Sequence, residues 1–253
     1  MYFNENLSGA EGFDLVAGAY DHARPSYPEK FFENINPGVT LEIGSGSGQA
    51  TVGLLKVSSR IDCVEPGSNF CRRLREKFSS NKNVTVINET FEEFKPDREY
   101  DLVFSASALH WVRKHVAYSK IRQCLKPGGK LVAVWHQPRF SEQVYAAIDA
   151  TIGQVLPDFY IPRGTHEELA LFEQGFRDFE AQNLFSNCEM EVVRNERHVE
   201  RELLANLVWS YVNVKELSDP GSVRSEFDGK ILKLNESDCF VIDFYLSSRG
   251  EAV

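Results

Sequence analysis

No two of the five cysteines (Cys63, Cys71, Cys124, Cys188 and Cys239) form a C-x-x-C pair. Scattered and odd in number, they indicate neither a zinc knuckle nor a disulfide scaffold. No apolar run is long enough to span a bilayer, and Asn4, Glu5 and Glu11 spoil a signal-peptide reading. The expectation is a cytoplasmic protein with no membrane partner. There are no repeats and no low-complexity tracts, and no ligand cluster suggests a metal. Lys and Arg number 28 against 37 Asp and Glu, a formal charge of -9, which opposes a general nucleic-acid surface. What the chain does have is 253 residues, 42% of them hydrophobic and 12% aromatic. That is enough for one large domain, or a domain with a cap, and it excludes global disorder.

The most informative stretch is residues 39–51, VTLEIGSGSGQAT. An apolar strand through Val39, Leu41 and Ile43 breaks into Gly44, Gly46 and Gly48, and Gln49 to Val57 read as a helix. Strand, tight turn and helix in that order bring backbone N–H groups to the carboxyl edge of a sheet. A dinucleotide fingerprint would need glycine where Gln49 stands, and a P-loop would need Lys followed by Ser or Thr. Glu42, two residues before the first glycine, repels a pyrophosphate and favours an ammonium or sulfonium. Glu65 ends the next apolar strand, IDCVE, about twenty residues further on, where an acid can accept both hydroxyls of a ribose.

The chain then alternates. Ser26, Pro28 and Glu29 predict a capped helix carrying Phe31, Phe32 and Ile35. It is followed by the glycine strand, IDCVE, a helix over SNFCRRLREKF, the strand NVTVINE, the acidic turn ETFEEF and the apolar strand YDLVFSAS. Val112, Val116 and the Ile121 to Leu125 stretch mark another helix, and KLVAVWH makes a fifth strand. Short strands alternating with helices from 28 to 136 mean a parallel sheet with right-handed crossovers. Beyond Pro138 the rhythm fails. SEQVYAAIDATIGQVL reads as a helix, a Pro- and Gly-punctuated stretch carries a second, and MEVVRNERHVE, RELLANLVWSYVNV, residues 221–234 and CFVIDFYLS read as strand, helix, helix and strand. The two late strands can extend the sheet edge, one of them antiparallel.

In order and spacing, FDLVAGAYDHARPSYP, LEIGSGSGQAT, VEP, ETFEEF, YDLVFSASALHWV and LKPGGKLVAVW resemble the class I S-adenosylmethionine-dependent methyltransferases. The likeness is to the small-molecule branch of trans-aconitate 2-methyltransferase, ubiquinone-type and type 11-like enzymes, and it runs over residues 13–136. The resemblance implies an α/β, Rossmann-like, seven-stranded and mostly parallel sheet whose last strand is antiparallel, with N-terminal lid helices and a helical cap inserted after strand five. The divisions expected are a lid at 1–27, a cofactor-binding core at 28–137, a cap with a late strand at 138–215, and a C-terminal helix and edge strand at 216–253. It also implies S-adenosyl-L-methionine as cofactor and S-adenosyl-L-homocysteine as product. Gly44, Ser45 and Gly46 would run beside the methionine and ribose, with Gly48 and Gln49 completing the turn. Glu42 would lie beneath them, Glu65 would hold the ribose, and Pro66 would shape that corner. Thr90 and Phe91 stand at the expected adenine position, where Phe91 replaces a small residue and either stacks on the base or alters its pocket. Ser105 and Ala106 would face the cofactor.

Methyl transfer from a sulfonium is an in-line displacement, so the protein mainly aligns the partners, excludes water and, where needed, removes one proton. His110 follows strand four and is a candidate base, with framework packing as the alternative reading. Tyr20 and Arg24 lie in the covering segment. Arg24 can bind the cofactor's carboxylate or a substrate's, or pair with Asp21. Trp111, His136, Tyr160, Arg163, Trp209 and Tyr211 are candidates for substrate contact, and His136 either points into the cleft or caps a helix. The function expected is methylation of a small molecule, foremost at oxygen of a carboxylic acid or hydroxyl compound. N- or C-methylation and a non-catalytic, cofactor-binding homologue are the alternatives. An NAD-dependent reductase fits the glycine spacing and Glu42 poorly. The absence of an N/D-P-P-Y/F motif after strand four, where SASALHW stands, also disfavours nucleic acid. A monomer or homodimer is expected.

Overall fold

Alternation of apolar strands with amphipathic helices produces one seven-stranded sheet in the order β3-β2-β1-β4-β5-β7-β6. The strands are β1 (Gly38–Ile43), β2 (Ser58–Val64), β3 (Val84–Ile87), β4 (Tyr100–Ala106), β5 (Leu125–Phe140), β6 (Phe185–His198) and β7 (Phe240–Ala252). The computed structural model describes residues 14–15, 17–33, 35, 38–159, 161, 163 and 166–253. β3, β2, β1, β4 and β5 pair in parallel, and β7 runs antiparallel between β5 and β6. This is the Rossmann-like sheet with an antiparallel last strand that the resemblance implies.

The central strands are buried on both faces, as crossover helices on either side require. In β1 the side chains of Thr40, Leu41, Glu42 and Ile43 are all buried. Ile43 pairs with Val64 of β2 and Ser105 of β4, so these strands finish level. Gly44, Glu65 and Ala106 therefore emerge side by side at one edge.

The described helices of more than one short 3-10 turn are α1 (Ala17–Ala23), α2 (Thr51–Leu54), α3 (Ser68–Lys77), α4 (Lys114–Cys124), α5 (Glu142–Asp149), α6 (Ile152–Val155), α7 (His166–Glu180), α8 (Arg201–Trp209) and α9 (Pro220–Ile231). One sheet face carries α4 and α7 over Leu41, Val103, Leu131 and Trp135. The other carries α2 and α3, with Phe32, Leu54 and Leu74 over Ile61, Phe104 and Val132. A third cluster joins α5, α6, α8 and α9 beyond the end of β5, around Ile148, Leu207, Phe227 and Val241.

Three elements depart from the sequence expectation. The segment after Pro28 forms only a 3-10 turn, Glu29–Phe32, because Glu33 is already extended toward β1. Ser26 is not its cap; the Ser26 carbonyl accepts the Tyr245 hydroxyl. The helix after the glycines is the four-residue α2 rather than Gln49–Val57, since the Lys56 and Val57 N–H groups bond the Gly53 and Leu54 carbonyls in tightened turns and β2 begins at Ser58. The long helix expected over 141–156 breaks at Thr151, whose hydroxyl bonds back to the Ala147 carbonyl.

Candidate functional site

The sheet edge opens into a cavity of about 1170 Å³, above the roughly 300–1,000 Å³ typical of small-molecule sites. It has room for a nucleoside and a second small molecule together. The glycine turn forms its floor. Gly44 has φ +67°, and a Cβ there would lie 2.3 Å from that of Ala108. Gly46 has φ +54°, with only the Tyr20 ring (3.8 Å) in front of it, so any side chain at this position would project into the cavity.

Glu65 crosses this floor. Its Oε2 accepts the Gly46 N–H at 2.9 Å and its Oε1 the Gly67 N–H at 2.8 Å. Burial pushes its pKa up to about 7 against the lowering effect of those two bonds, and the nearby Asp14 carboxylate adds to the rise. Each carboxylate oxygen retains a further lone pair for a ligand hydroxyl. Asp14 itself accepts the Phe70 N–H at 3.0 Å and closes that corner beside Pro66. Glu42 lies beneath the turn, 1% exposed, and accepts the Thr51 hydroxyl at 2.7 Å and the Cys63 thiol at 3.5 Å. Burial pushes it also up to about 7. With Ser45 and Gln49, Glu42 lines a smaller space of about 20 Å³ behind the turn.

Arg24 reaches both spaces. Its Nε donates to the Ser210 hydroxyl at 2.9 Å and Nη2 to the Ser210 carbonyl at 3.2 Å, tying the segment after α1 to the end of α8. The guanidinium stacks 3.5 Å from the Tyr211 ring centroid and 4.6 Å from that of Tyr20. It does not pair with Asp21, which meets Lys77 and Arg73 instead.

His110, in a 3-10 turn after β4, accepts the Trp135 indole N–H on Nδ1 at 3.1 Å. Indole only donates, so the neutral ring carries its proton on Nε2. Burial, with the Arg24 charge in second place, brings its pKa down to about 4. At neutral pH it is a hydrogen-bond donor rather than a base. His136, near the end of β5, bonds Asp243 Oδ1 through Nε2 at 2.6 Å and the Tyr211 hydroxyl through Nδ1 at 3.2 Å. Its backbone N–H donates to the Ser107 hydroxyl (3.0 Å), which also meets the Tyr27 hydroxyl (2.9 Å). Ser107 has φ +51°, a left-handed conformation uncommon outside glycine that re-aims the chain as β4 ends.

Of the residues singled out in the sequence, Tyr20, Arg24, Gly44, Gly46, Glu65, Pro66, Thr90, Phe91, Ala106, His110, Trp111, His136 and Tyr211 line the large cavity. His136 faces the cleft rather than capping a helix. Phe91 is 3% exposed and packs into the core below the Lys120 ammonium. Thr90 turns back to bond Glu93. Glu42, Ser45 and Gln49 line only the smaller space, and four other singled-out residues reach neither. The Ser105 hydroxyl bonds the Ile43 carbonyl and ties β4 to β1. Gly48 packs on Phe78. Arg163 pairs with Asp149 over the Tyr145 ring. Trp209 is buried in the helical cluster, with Arg224 over its ring. Tyr160 lies outside the described residues. Sequence reasoning missed Ser107, the donor role of Trp135, Asp243, and the cavity wall formed by Leu171 and Phe172 of α7. The one available signal was Asp243, a lone acid inside the apolar run CFVIDFYLS.

Residues 41–133 match a family described as a methyltransferase domain. An uncharacterised methyltransferase of Mycobacterium bovis is 30% identical over 127 residues, covering 49% of this chain and 51% of that protein. The chain thus spans about half the length of the curated relatives it matches. A protein of Anaeromyxobacter dehalogenans, proposed to be a type II methyltransferase, shares the fold with a TM-score of 0.61 at 23% identity, over 90% of this chain and 97% of that one. A methyltransferase from Thiobacillus denitrificans, solved with S-adenosyl-L-homocysteine, gives a TM-score of 0.51 at 15% identity, over 98% and 99% of the two chains. Among the described residues no helix is long and apolar enough to cross a membrane. The match over residues 41–133 thus falls on the strands and turns that carry the two strand-end acids, and the solved structures share the 3-2-1-4-5-7-6 fold of the whole chain.

Proposed function

We propose that the protein transfers a methyl group from S-adenosyl-L-methionine to an oxygen of a small molecule, a carboxylic acid or a hydroxyl compound. The observation that carries this reading is the Glu65 carboxylate, held by two backbone N–H groups at the end of β2. It lies in a cavity that continues past Gly46 to Arg24, His110 and His136.

The residues present fit the cofactor. Glu65 has lone pairs for the ribose hydroxyls, and the open face of Gly46 leaves backbone room for the methionine chain. Arg24, between two tyrosine rings and beside the glycine turn, presents its guanidinium to the methionine carboxylate, and Tyr20 walls that end. Phe91 with Pro66 and Thr90 bounds the adenine side. When bound, S-adenosyl-L-methionine supplies a methyl group already activated by the sulfonium charge, so the chain has to align, desolvate and, for some acceptors, deprotonate. The lid expected at 1–27 is described only from residue 14 on, residues 1–13 lying outside the described residues; this part serves as lid and 138–215 as cap. The Arg24–Ser210 bonds and Leu171, Phe172 and Tyr211 in the cavity wall support closure over the site. A site enclosed in this way accepts a metabolite rather than a macromolecular surface, in a monomer or homodimer.

Titration calorimetry tests the class. S-adenosyl-L-homocysteine should bind with micromolar affinity or better and NADH not at all; the reverse order refutes the reading. Incubation with a metabolite pool and S-adenosyl-L-methionine should then produce compounds heavier by one methyl group.

A further inference from the structure

We infer that Tyr211, His136 and Asp243 form a proton relay in the cavity wall, and that the acceptor is therefore a hydroxyl compound rather than a carboxylate. This rests on the methyl-transfer reading and narrows it. The three residues come from three elements that meet only in the fold: the end of α8, β5 and β7.

Asp243 is 1% exposed and binds on both oxygens, Oδ1 to His136 Nε2 at 2.6 Å and Oδ2 to Arg197 Nε at 2.6 Å. Burial pushes its carboxyl up, but the bonds from His136 and Arg197 outweigh this and hold it below the usual carboxylate range. As a carboxylate it only accepts, so the His136 proton sits on Nε2 and the Nδ1 lone pair faces Tyr211. The Tyr211 hydroxyl donates to that lone pair at 3.2 Å, which leaves the phenol oxygen to accept a proton from the cavity side. The imidazole is further fixed by its backbone bond to Ser107 and by the Tyr245 ring, 5.0 Å away between centroids.

The charged and titratable groups facing His136 are thus Asp243, Arg197, Arg24, Tyr211 and Tyr245. Burial lowers its pKa, Asp243 raises it, and Arg24 and Arg197 lower it again. His136 stays neutral and ready at physiological pH. The Arg24 guanidinium over the Tyr211 ring steadies the phenol oxygen as its proton leaves. His110 cannot replace this route, because its one unprotonated nitrogen is taken by Trp135.

The step balances as written. The acceptor oxygen forms a bond to the methyl carbon while the carbon–sulfur bond breaks, and that electron pair stays on sulfur. The acceptor's hydroxyl proton passes to the Tyr211 oxygen as the Tyr211 proton passes to His136 Nδ1. One positive charge disappears at sulfur and one appears on the imidazolium, beside Asp243. A carboxylate acceptor, already ionised, would need none of this.

Two experiments test the relay. In protein labelled with ¹⁵N-histidine and saturated with S-adenosyl-L-homocysteine, His136 at pH 7.5 should be neutral with its proton on Nε2. Tyr211→Phe should shift the Nδ1 resonance toward that of a free nitrogen without unfolding the protein. In the second, 4-nitrophenol, catechol, benzyl alcohol, benzoate and benzylamine are offered with trideuteromethyl-labelled cofactor. Labelled ethers should form; His136→Gln should lower kcat roughly 100-fold or more and Tyr211→Phe roughly 10-fold or more, with S-adenosyl-L-homocysteine affinity within threefold of wild type. Asp243 acts by positioning. Asp243→Asn should move the acid limb of the pH–rate profile further down, since it removes the anion that favours the imidazolium. The relay is overturned by an Nδ1–H tautomer, by labelled ester or methylamine without ether, by hydroxyl methylation that survives His136→Gln within fivefold, or by cofactor binding with no hydroxyl probe methylated. Failure of S-adenosyl-L-homocysteine to bind overturns the methyl-transfer reading itself, and the relay with it.

Discussion

Replacing Glu42 by Gln should stabilise the protein at pH 8 and leave it almost unchanged at pH 5. Glu42 sits in the central strand, 1% exposed, with a carboxyl that burial moves from 4.5 to about 7. At about 1.4 kcal/mol per tenfold change in ionisation, holding this group charged in the fold costs about 3 kcal/mol relative to the unfolded chain. The sign follows from proton counts. Between pH 4.5 and 7 the unfolded chain has lost the proton and the folded one retains it, so stability falls as pH rises and levels off once the folded group ionises. Gln keeps the shape and can still accept from Thr51, but it does not titrate. Urea unfolding of both proteins at half-unit intervals from pH 5 to 8 should show the variant gaining on wild type by up to about 3 kcal/mol, mostly between pH 5 and 7. A pH-independent difference, or one that grows toward acid, refutes the buried-acid account. The same group should respond to ligand charge. A sulfonium above it favours the carboxylate, so at pH 7 S-adenosyl-L-methionine should release more of a proton on binding than S-adenosyl-L-homocysteine, whose ribose acts on Glu65 alone. Calorimetry in buffers of different ionisation enthalpy reads that difference.

Glu65→Ala should remain folded and lose cofactor affinity: two hydrogen bonds to a charged acceptor, at about 1.5 kcal/mol each as a lower figure, amount to about 3 kcal/mol, or roughly 150-fold in Kd. Titration with S-adenosyl-L-homocysteine at wild-type affinity would remove Glu65 from the site. Gly46→Val puts a β-branched side chain at φ +54° and into the cradle under Tyr20, so binding should fall below detection; normal affinity in a folded variant would show that the turn is not the site. Trp135→Phe removes the indole N–H that donates to His110 Nδ1, and ¹⁵N-histidine spectra should show that nitrogen released while cofactor affinity stays within threefold. An unchanged His110 resonance would contradict the tautomer assigned to it.

Much of the candidate site at the glycine turn was legible because its determinants are local. Glu42, Gly44 and Gly46 lie within five residues of one another, and Glu65 ends the next strand. Strand pairing in level register turns that linear spacing into a cradle without help from distant residues. The same locality explains the sheet, whose strands announce themselves as short apolar runs between turn signals. Where the reading failed, a tertiary contact decided the outcome. The helix after Gln49 is cut short by entry into β2 at Ser58, and the turn after Pro28 by entry into β1.

The cavity wall around His136 was hardly legible, for the converse reason. Arg163 and Trp209 were chosen by residue type, and type alone does not say which way a side chain faces. One pairs with Asp149 and the other fills the helical core. His136 was noticed at the end of a strand, but its chemistry depends on Asp243, 107 residues away, and on Tyr211, 75 residues away. Neither separation has a periodicity to betray it. An isolated acid in an apolar strand is nonetheless a physical signal. Asp243 would be costly inside CFVIDFYLS unless donors met it, and the fold supplies the neutral His136 ring N–H and the charged Arg197. Buried acids within apolar runs therefore give the sequence-level marker that this site offers in that wall. They ask for donors, and here they find the Arg197 guanidinium and a neutral imidazole that lines the cavity.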